Sequence, residues 1–286
     1  MTAPSVDSQK LTIGLPVYNA EKYLADAIRS LLGQTFGHFE LLISDNASTD
    51  GTQEICAEYA AKDSRIRYVR NRENIGATAN FVSVLQLAET PYFMWAAYDD
   101  LWSPNLLQNA VSVLDSNPEC GFALTDVVLK SINYGVWRTI PSARFAFVED
   151  ELPERRVLEF VNRHIYSHKT NMVYSLMRTE VLKRAVEMAG FLDADLLCAA
   201  ILWHAPAKRV LGPRFYKRYP KKWPAMFINK SPGPEKAAAF EAARDERFGR
   251  LERIFPDLRN KLELIRENYR PRSYGRDFLI VEDLAG

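Results

Sequence analysis

Two adjacent carboxylates, Asp99 and Asp100, follow the apolar run Met94-Trp95-Ala96-Ala97-Tyr98, and Ser103-Pro104 then opens a helix. In an open α/β sheet, ligands bind beyond the carboxyl ends of the strands. A tandem acid at such an end suits a hard divalent cation that bridges to phosphate oxygens. An Asx turn with a helix cap would use the same residue types. Two earlier segments point to the same sheet edge. Pro16-Val17-Tyr18-Asn19 closes the first apolar run, where proline stops ladder pairing. Tyr18 could stack on a base while Asn19 fixes its orientation, or Asn19 could simply cap the next helix. Ser44-Asp45-Asn46-Ala47-Ser48-Thr49-Asp50-Gly51 closes the second run. Asp45 there can accept from an imide N–H, whereas Ser48 and Asp50 suit the turn and the helix cap.

The elements that must position these residues alternate regularly. Apolar runs at 11–17, 39–44, 66–70, 92–96 and 121–128 are separated by helical spacing at 21–32, 52–61, 76–87 and 104–114. Strands joined by helices imply right-handed crossovers, so the fold class is α/β, a mostly parallel sheet flanked by helices. Past residue 130 the spacing predicts helices over 153–161, 179–189 and 193–203, with a strand-like segment at 171–177. Residues 214–234 read as a loop in which Arg214, Lys217, Arg218, Lys221 and Lys222 alternate with Phe215, Tyr216, Tyr219 and Trp223. A helix at 237–255 would present Phe240, Phe248, Leu251 and Phe255 on one face. His164 and His168 are four apart, but their stretch is not helical in pattern, which favours packing over metal binding.

Together these segments resemble the family 2 glycosyltransferases of the GT-A fold. The similarity covers roughly residues 10–130. It rests on Leu15-Pro16-Val17-Tyr18-Asn19, the segment from Ser44 to Gly51, Asn74-Ile75-Gly76-Ala77-Thr78-Ala79-Asn80-Phe81, and Asp99-Asp100-Leu101-Trp102-Ser103-Pro104, in that order. The resemblance implies a nucleotide-sugar donor, probed first as a UDP-sugar, with Mn²⁺ or Mg²⁺ and inversion at the anomeric carbon. It implies that Pro16, Tyr18 and Asp45 hold the nucleoside, and that Asn74 and Asn80 lie near base, ribose or phosphates. Asp100 would be the first metal ligand, with Asp99 shared between metal and donor hydroxyls. Ala97 stands where the family pattern Asp-x-Asp-Asp has its first acid. Gly190-Phe191-Leu192-Asp193-Ala194-Asp195 is similar to the stretch that carries the catalytic base, which points to Asp195 and, behind it, Asp193. Either could instead be a first-turn acid or cap. In the family the basic-aromatic segment can close over the pyrophosphate, here through Arg218 or a lysine. The corresponding organisation is a donor half at 1–130, an acceptor half at 131–230 of the same domain, and a C-terminal helical extension at 231–286.

Composition narrows the partners. The 286 residues are 47% hydrophobic, enough for a full core, and carry a net charge of +1, so no global field favours nucleic acid. Cys56, Cys120 and Cys198 are far apart, without ligand spacing, and read as reduced core residues of a cytoplasmic protein. The first ten residues are polar and do not resemble a secretory signal, and no apolar run approaches 18 residues. The expected location is therefore the cytoplasm, or the inner face of a membrane bearing a lipid-linked acceptor; a glycan acceptor and a homo-oligomer stay open. No GxGxxG follows a strand, which removes a dinucleotide-dependent oxidoreductase. A sugar-phosphate nucleotidyltransferase would need a glycine-rich basic loop after the first strand, and none is present. A non-catalytic nucleotide-sugar binder remains, given Ala97.

Overall fold

A computed structural model describes residues 9–131, 137–163, 169–190, 193–219 and 234–268. The first half builds βα units in sequence order. The strands are β1 (Leu11–Val17), β2 (Phe39–Asp45), β3 (Ile66–Arg70) and β4 (Tyr92–Trp95). Between them run α1 (Leu24–Leu32), α2 (Thr52–Lys62) and α3 (Ala77–Gln86). Every residue of β1 is buried, as befits a central strand covered on both faces, whereas β3 at the sheet edge is more polar. The order β3-β2-β1-β4 is parallel throughout. Growth of the sheet therefore reverses direction between β1 and β4, and such a switch point opens a crevice above the carboxyl ends of the two strands. Gly14 allows close packing there: a Cβ would lie 2.6 Å from the Phe93 ring.

The sheet then becomes mixed. The remaining strands are β5 (Leu101–Trp102), β6 (Phe122–Ser131), β7 (Trp137–Ile140), β8 (Leu176–Arg178) and β9 (Ala207–Tyr219). They extend the order as β4-β8-β6-β9-β5, with β7 on β6. β6 and β9 are parallel, while β8 is antiparallel to both β4 and β6. The helices of this half are α4 (Leu106–Ser116), α5 (Pro153–Asn162), α6 (Thr179–Ala189), α7 (Ala194–His204), α8 (Pro234–Ile254) and α9 (Arg259–Asn268).

Two expectations need correction. Residues 171–174 of the strand-like segment belong to a 3-10 helix (Lys169–Tyr174), leaving only β8 extended. Residues 214–219 of the expected loop belong to β9. Leu211-Gly212-Pro213 is a bulge opposite Thr125/Asp126, with Gly212 at φ +101°, and it breaks the alternation by which a strand is recognised. Residues 220–233, including Lys221, Lys222 and Trp223, lie outside the described residues, as do His164 and His168.

The expected apolar face of α8 is buried at Phe248 and Leu251, and the ring of Phe255 just beyond it lies 5.2 Å from that of Trp203 of α7, tilted by 50°. The side chain of Phe240 lies outside the described set. All three cysteines are buried and outside any disulfide, and burial pushes the Cys56 thiol up to about 12, so it stays a protonated core residue. Among the described residues no helix is long and apolar enough to cross a membrane.

Candidate active site

Parallel pairing places Val17, Asp45 and Arg70 in one register row, so the segments after β1, β2, β3 and β4 leave the sheet from the same edge. Pro16 is compatible with this central position for a specific reason. Gly14 C=O accepts from Ala96 N, so even-numbered residues of β1 face β4. Pro16 falls on that side, where the ladder has already ended at Gly14–Trp95. Pairing to β2 continues through Val17, so proline ends the ladder on one side only.

The first two loops are fastened to each other. Asn19 Oδ1 accepts from Thr49 N at 2.9 Å, and Asn19 N donates to Ser48 Oγ at 3.0 Å. Asn19 is therefore a loop-to-loop tie and not a cap of α1. Asp50, expected to cap α2, instead precedes its cap residue Gly51 and braces the turn by accepting from Thr52 N and from Glu21 N. Asn19 (φ +49°) and Ala47 (φ +59°) are the two non-glycine residues with left-handed backbone among those described. For alanine this costs roughly 1–2 kcal/mol, and strain retained at a rim is characteristic of a binding loop. Tyr18 is 42% exposed beside them.

Below the rim lies an amide network that sequence reasoning missed. Asn46 Nδ2 donates to Asn74 Oδ1, while Asn46 Oδ1 accepts from Asn71 Nδ2 and from Ile75 N. Asn80 is buried, and its amide is spent on Ser44 and Asn71. Asn80 thus supports the loop from beneath, whereas the exposed Asn74 stands at the surface. Asp45 is also a floor residue, with no exposure. It accepts from Ser48 N at 2.9 Å, from Tyr68 Oη at 3.0 Å and from Arg70 Nη1. Burial alone would raise its carboxyl, but the hydrogen bonds from Ser48, Tyr68 and Arg70 prevail and hold it below the usual range. Asp45 therefore meets protein donors here, and a base could reach it only if the Ser48 turn moved.

Asp99 and Asp100 differ sharply in setting. Asp99 is half-buried and makes no hydrogen bond to another described residue. Asp100 is completely buried where β5 pairs with β9. Its Oδ1 accepts from Arg218 N at 2.9 Å, and Lys217 Nζ stands 3.5 Å from Oδ2, which has no hydrogen bond. Burial pushes this carboxyl up to about 6; Lys217 opposes that shift and Asp99 adds to it. Tyr98, between Ala97 and Asp99, is raised by burial and, less, by the negative charge of Asp99 and Asp50 and by Tyr23.

No group of three or more His, Cys, Asp or Glu is placed to hold a metal by itself among the described residues. The donors present nevertheless fit part of a coordination sphere. A buried carboxylate oxygen without a hydrogen bond and a neighbouring second carboxylate suit a hard cation whose other ligands come from phosphate and water.

Asp193 caps α7, its Oδ1 accepting from Asp195 N at 2.8 Å and Leu196 N at 3.4 Å. That matches the capping alternative. Asp195, in the first turn, pairs with Arg247 of α8 at 3.4 Å, the two side chains being 12% and 11% exposed. Nothing in the sequence linked Asp195 to a residue more than fifty positions away. Arg218 does not reach outward: its guanidinium pairs with Asp26 of α1 at 3.1 Å and covers the Tyr23 ring.

The parallel β3-β2-β1-β4 order, the amide-braced loops at its carboxyl edge and the tandem acid after β4 go with a GT-A type α/β fold. The family model for glycosyl transferase family 2 matches residues 12–174, more than half of the chain, and the chain belongs to that family. Similar curated proteins include a putative teichuronic acid biosynthesis glycosyltransferase, TuaG, of Bacillus subtilis. It is 34% identical over 110 residues, covering 38% of this chain and 43% of that protein. The putative glycosyltransferase EpsE of the same organism is 36% identical over 109 residues, covering 38% and 39%. The chain thus spans less than half the length of these curated relatives. Among solved structures, S. aureus TarS residues 1–349 align at TM-score 0.62 and 18% identity, covering 91% of this chain and 87% of that one. A complex of the same protein with UDP-GlcNAc aligns at TM-score 0.61 and 18% identity, covering 85% and 67%. The mannosyltransferase PcManGT of Pyrobaculum calidifontis, in complex with GDP-Man and Mn²⁺, aligns at TM-score 0.53 and 17% identity, covering 93% and 71%. At such identities the structural likeness establishes the fold.

Proposed function

We propose that this protein transfers a sugar from a nucleoside diphosphate sugar, a UDP-sugar, to a hydroxyl of a glycan or lipid-linked acceptor, with inversion, in surface polysaccharide synthesis. The observation that supports this reading is that Asp99 and Asp100 lie in the segment leaving β4, the strand next to β1 at the switch point, with Asp100 buried and its Oδ2 held only in a 3.5 Å ion pair with Lys217. Family membership supports it, as do the UDP-GlcNAc complex of TarS and the teichuronic acid assignment of TuaG.

In this reading Tyr18 stacks on the base, while Asn19 and Pro16 shape the loop that carries it. Asn74 presents its amide to ribose or phosphate. Asp45 and Asn80 hold those loops from below. Asp99 meets donor hydroxyls and Asp100 is the principal metal carboxylate. When bound, Mn²⁺ or Mg²⁺ supplies positive charge to the departing diphosphate. Asp195 accepts the proton of the acceptor hydroxyl as its oxygen attacks the anomeric carbon, and the bond to the diphosphate oxygen breaks on the opposite face. Residues 1–130 then form the donor half, 131–230 the acceptor half, and 231–286 a C-terminal helical extension, whose α8 meets Asp195 through Arg247. Action at the inner face of a membrane goes with a lipid-linked acceptor.

Incubation with a panel of nucleotide sugars, Mn²⁺ and glycan acceptors should release free nucleoside diphosphate and yield a product of inverted anomeric configuration. The observation favouring a second reading is the engagement of Asp195 by Arg247, together with Ala97 in place of an acid. Nucleotide-sugar binding without hydrolysis or transfer over a broad acceptor panel would establish a non-catalytic binder instead.

A further inference from the structure

The contact between Lys217 and Asp100 bears on how cation and nucleotide enter the site. Arg218 N fixes Asp100 Oδ1 at 2.9 Å, and Lys217 Nζ then faces Oδ2 at 3.5 Å. At 3.5 Å this is an ion pair longer than a close charge-assisted hydrogen bond. The ammonium is also 4.6 Å from the Tyr174 ring centroid and 5.9 Å from that of Phe215. Aromatic faces attract a cation without neutralising it. A lysine on its flexible stem can be re-aimed with little cost, unlike a guanidinium fork. Because no third acid joins Asp99 and Asp100 among the described residues, one ammonium cancels about half of the charge offered to a dication.

Resting on the donor-site reading above, we propose that Lys217 is an internal competitor for Asp100. Its ammonium occupies the carboxylate in the free protein and turns to the diphosphate when a nucleotide enters. Cation and nucleotide then bind cooperatively through one side chain, and the coupling is reciprocal. The same movement makes Lys217 a second positive charge beside the leaving group, carried by the protein itself.

Calorimetry with Mn²⁺ alone, with UDP in EDTA, and with UDP plus Mn²⁺ separates these roles, using wild type, Lys217→Met and Lys217→Arg in alkaline buffer where Asp100 stays ionised. Lys217→Met should bind Mn²⁺ alone about tenfold more tightly and UDP in EDTA about tenfold more weakly, a coupling of ordinary size. Lys217→Arg should shift Mn²⁺ affinity the other way, because its planar fork grips a carboxylate at two points. This second variant keeps the test decisive if the methionine variant folds poorly. Equal Mn²⁺ affinity across the three proteins, or a loss in Lys217→Met, overturns the role of Lys217 while leaving the donor site standing. Failure of every protein to bind UDP overturns the donor-site reading as well.

Discussion

Asp100→Asn should cut sugar transfer by about a hundredfold or more, since a metal-held charge at a leaving group is worth several kcal/mol, and should make the fold more stable. The two effects share one cause. Asp100 is fully buried, and its carboxyl is pushed up to about 6 in the folded protein against an ordinary 3.8. Between those values the native state binds more protons than the unfolded chain, so wild-type stability falls as pH rises through the interval. Above about pH 6 the full cost, about 3 kcal/mol, is present. Asparagine keeps the shape and carries no charge, so it escapes that cost. Thermal or urea unfolding at a series of pH values should show the variant more stable than wild type near neutrality, with the gap closing below pH 4. A variant of wild-type turnover would remove Asp100 from the metal site. One that is inactive but also less stable at neutral pH would mean that the pairing with Lys217 outweighs burial.

Asp195→Asn should lower turnover by about 10²–10⁴-fold, the usual contribution of a positioned general base, while UDP affinity stays near wild type. The amide cannot take the acceptor proton, yet it occupies the same space. Removing one charge from the pair with Arg247 leaves a largely buried cation, which is costly. If the single variant is poorly folded, Asp195→Asn combined with Arg247→Gln removes both charges and restores a fair comparison. Asp193→Asn is the internal control, because asparagine caps a helix as well as aspartate does. It should leave both stability and turnover near wild type. Turnover that survives Asp195→Asn and falls with Asp193→Asn would transfer the base to Asp193.

The first half of the fold was legible because its signals are local. A fully apolar strand such as β1, a polar turn such as 45–51 and a helix at 52–62 each announce themselves within a dozen residues. Parallel order then follows from the helical crossovers, which brought Tyr18, Asn74 and Asp99 to one edge. What escaped depends on long-range pairing. The counter-ion of Asp45 is Arg70, and the brace of Asn74 is Asn46; neither partner has a type that marks it out in the chain. β9 was hidden because Gly212-Pro213 interrupts its alternation, and with it went the antiparallel contact that buries Asp100 and turns Arg218 toward Asp26. Asp193 and Asp195 were found as a pair, but only the geometry of α7 divides them into a cap and a half-buried acid paired with Arg247.

The most direct measurement is a crystal structure of the protein soaked with UDP and Mn²⁺. Its expected result is uracil against Tyr18 and the diphosphate beside Asp99 and Asp100, in the crevice between β1 and β4. Nucleotide seated at another edge of the sheet, or none at saturating concentration, would contradict the assignment of this rim as a sugar-nucleotide site.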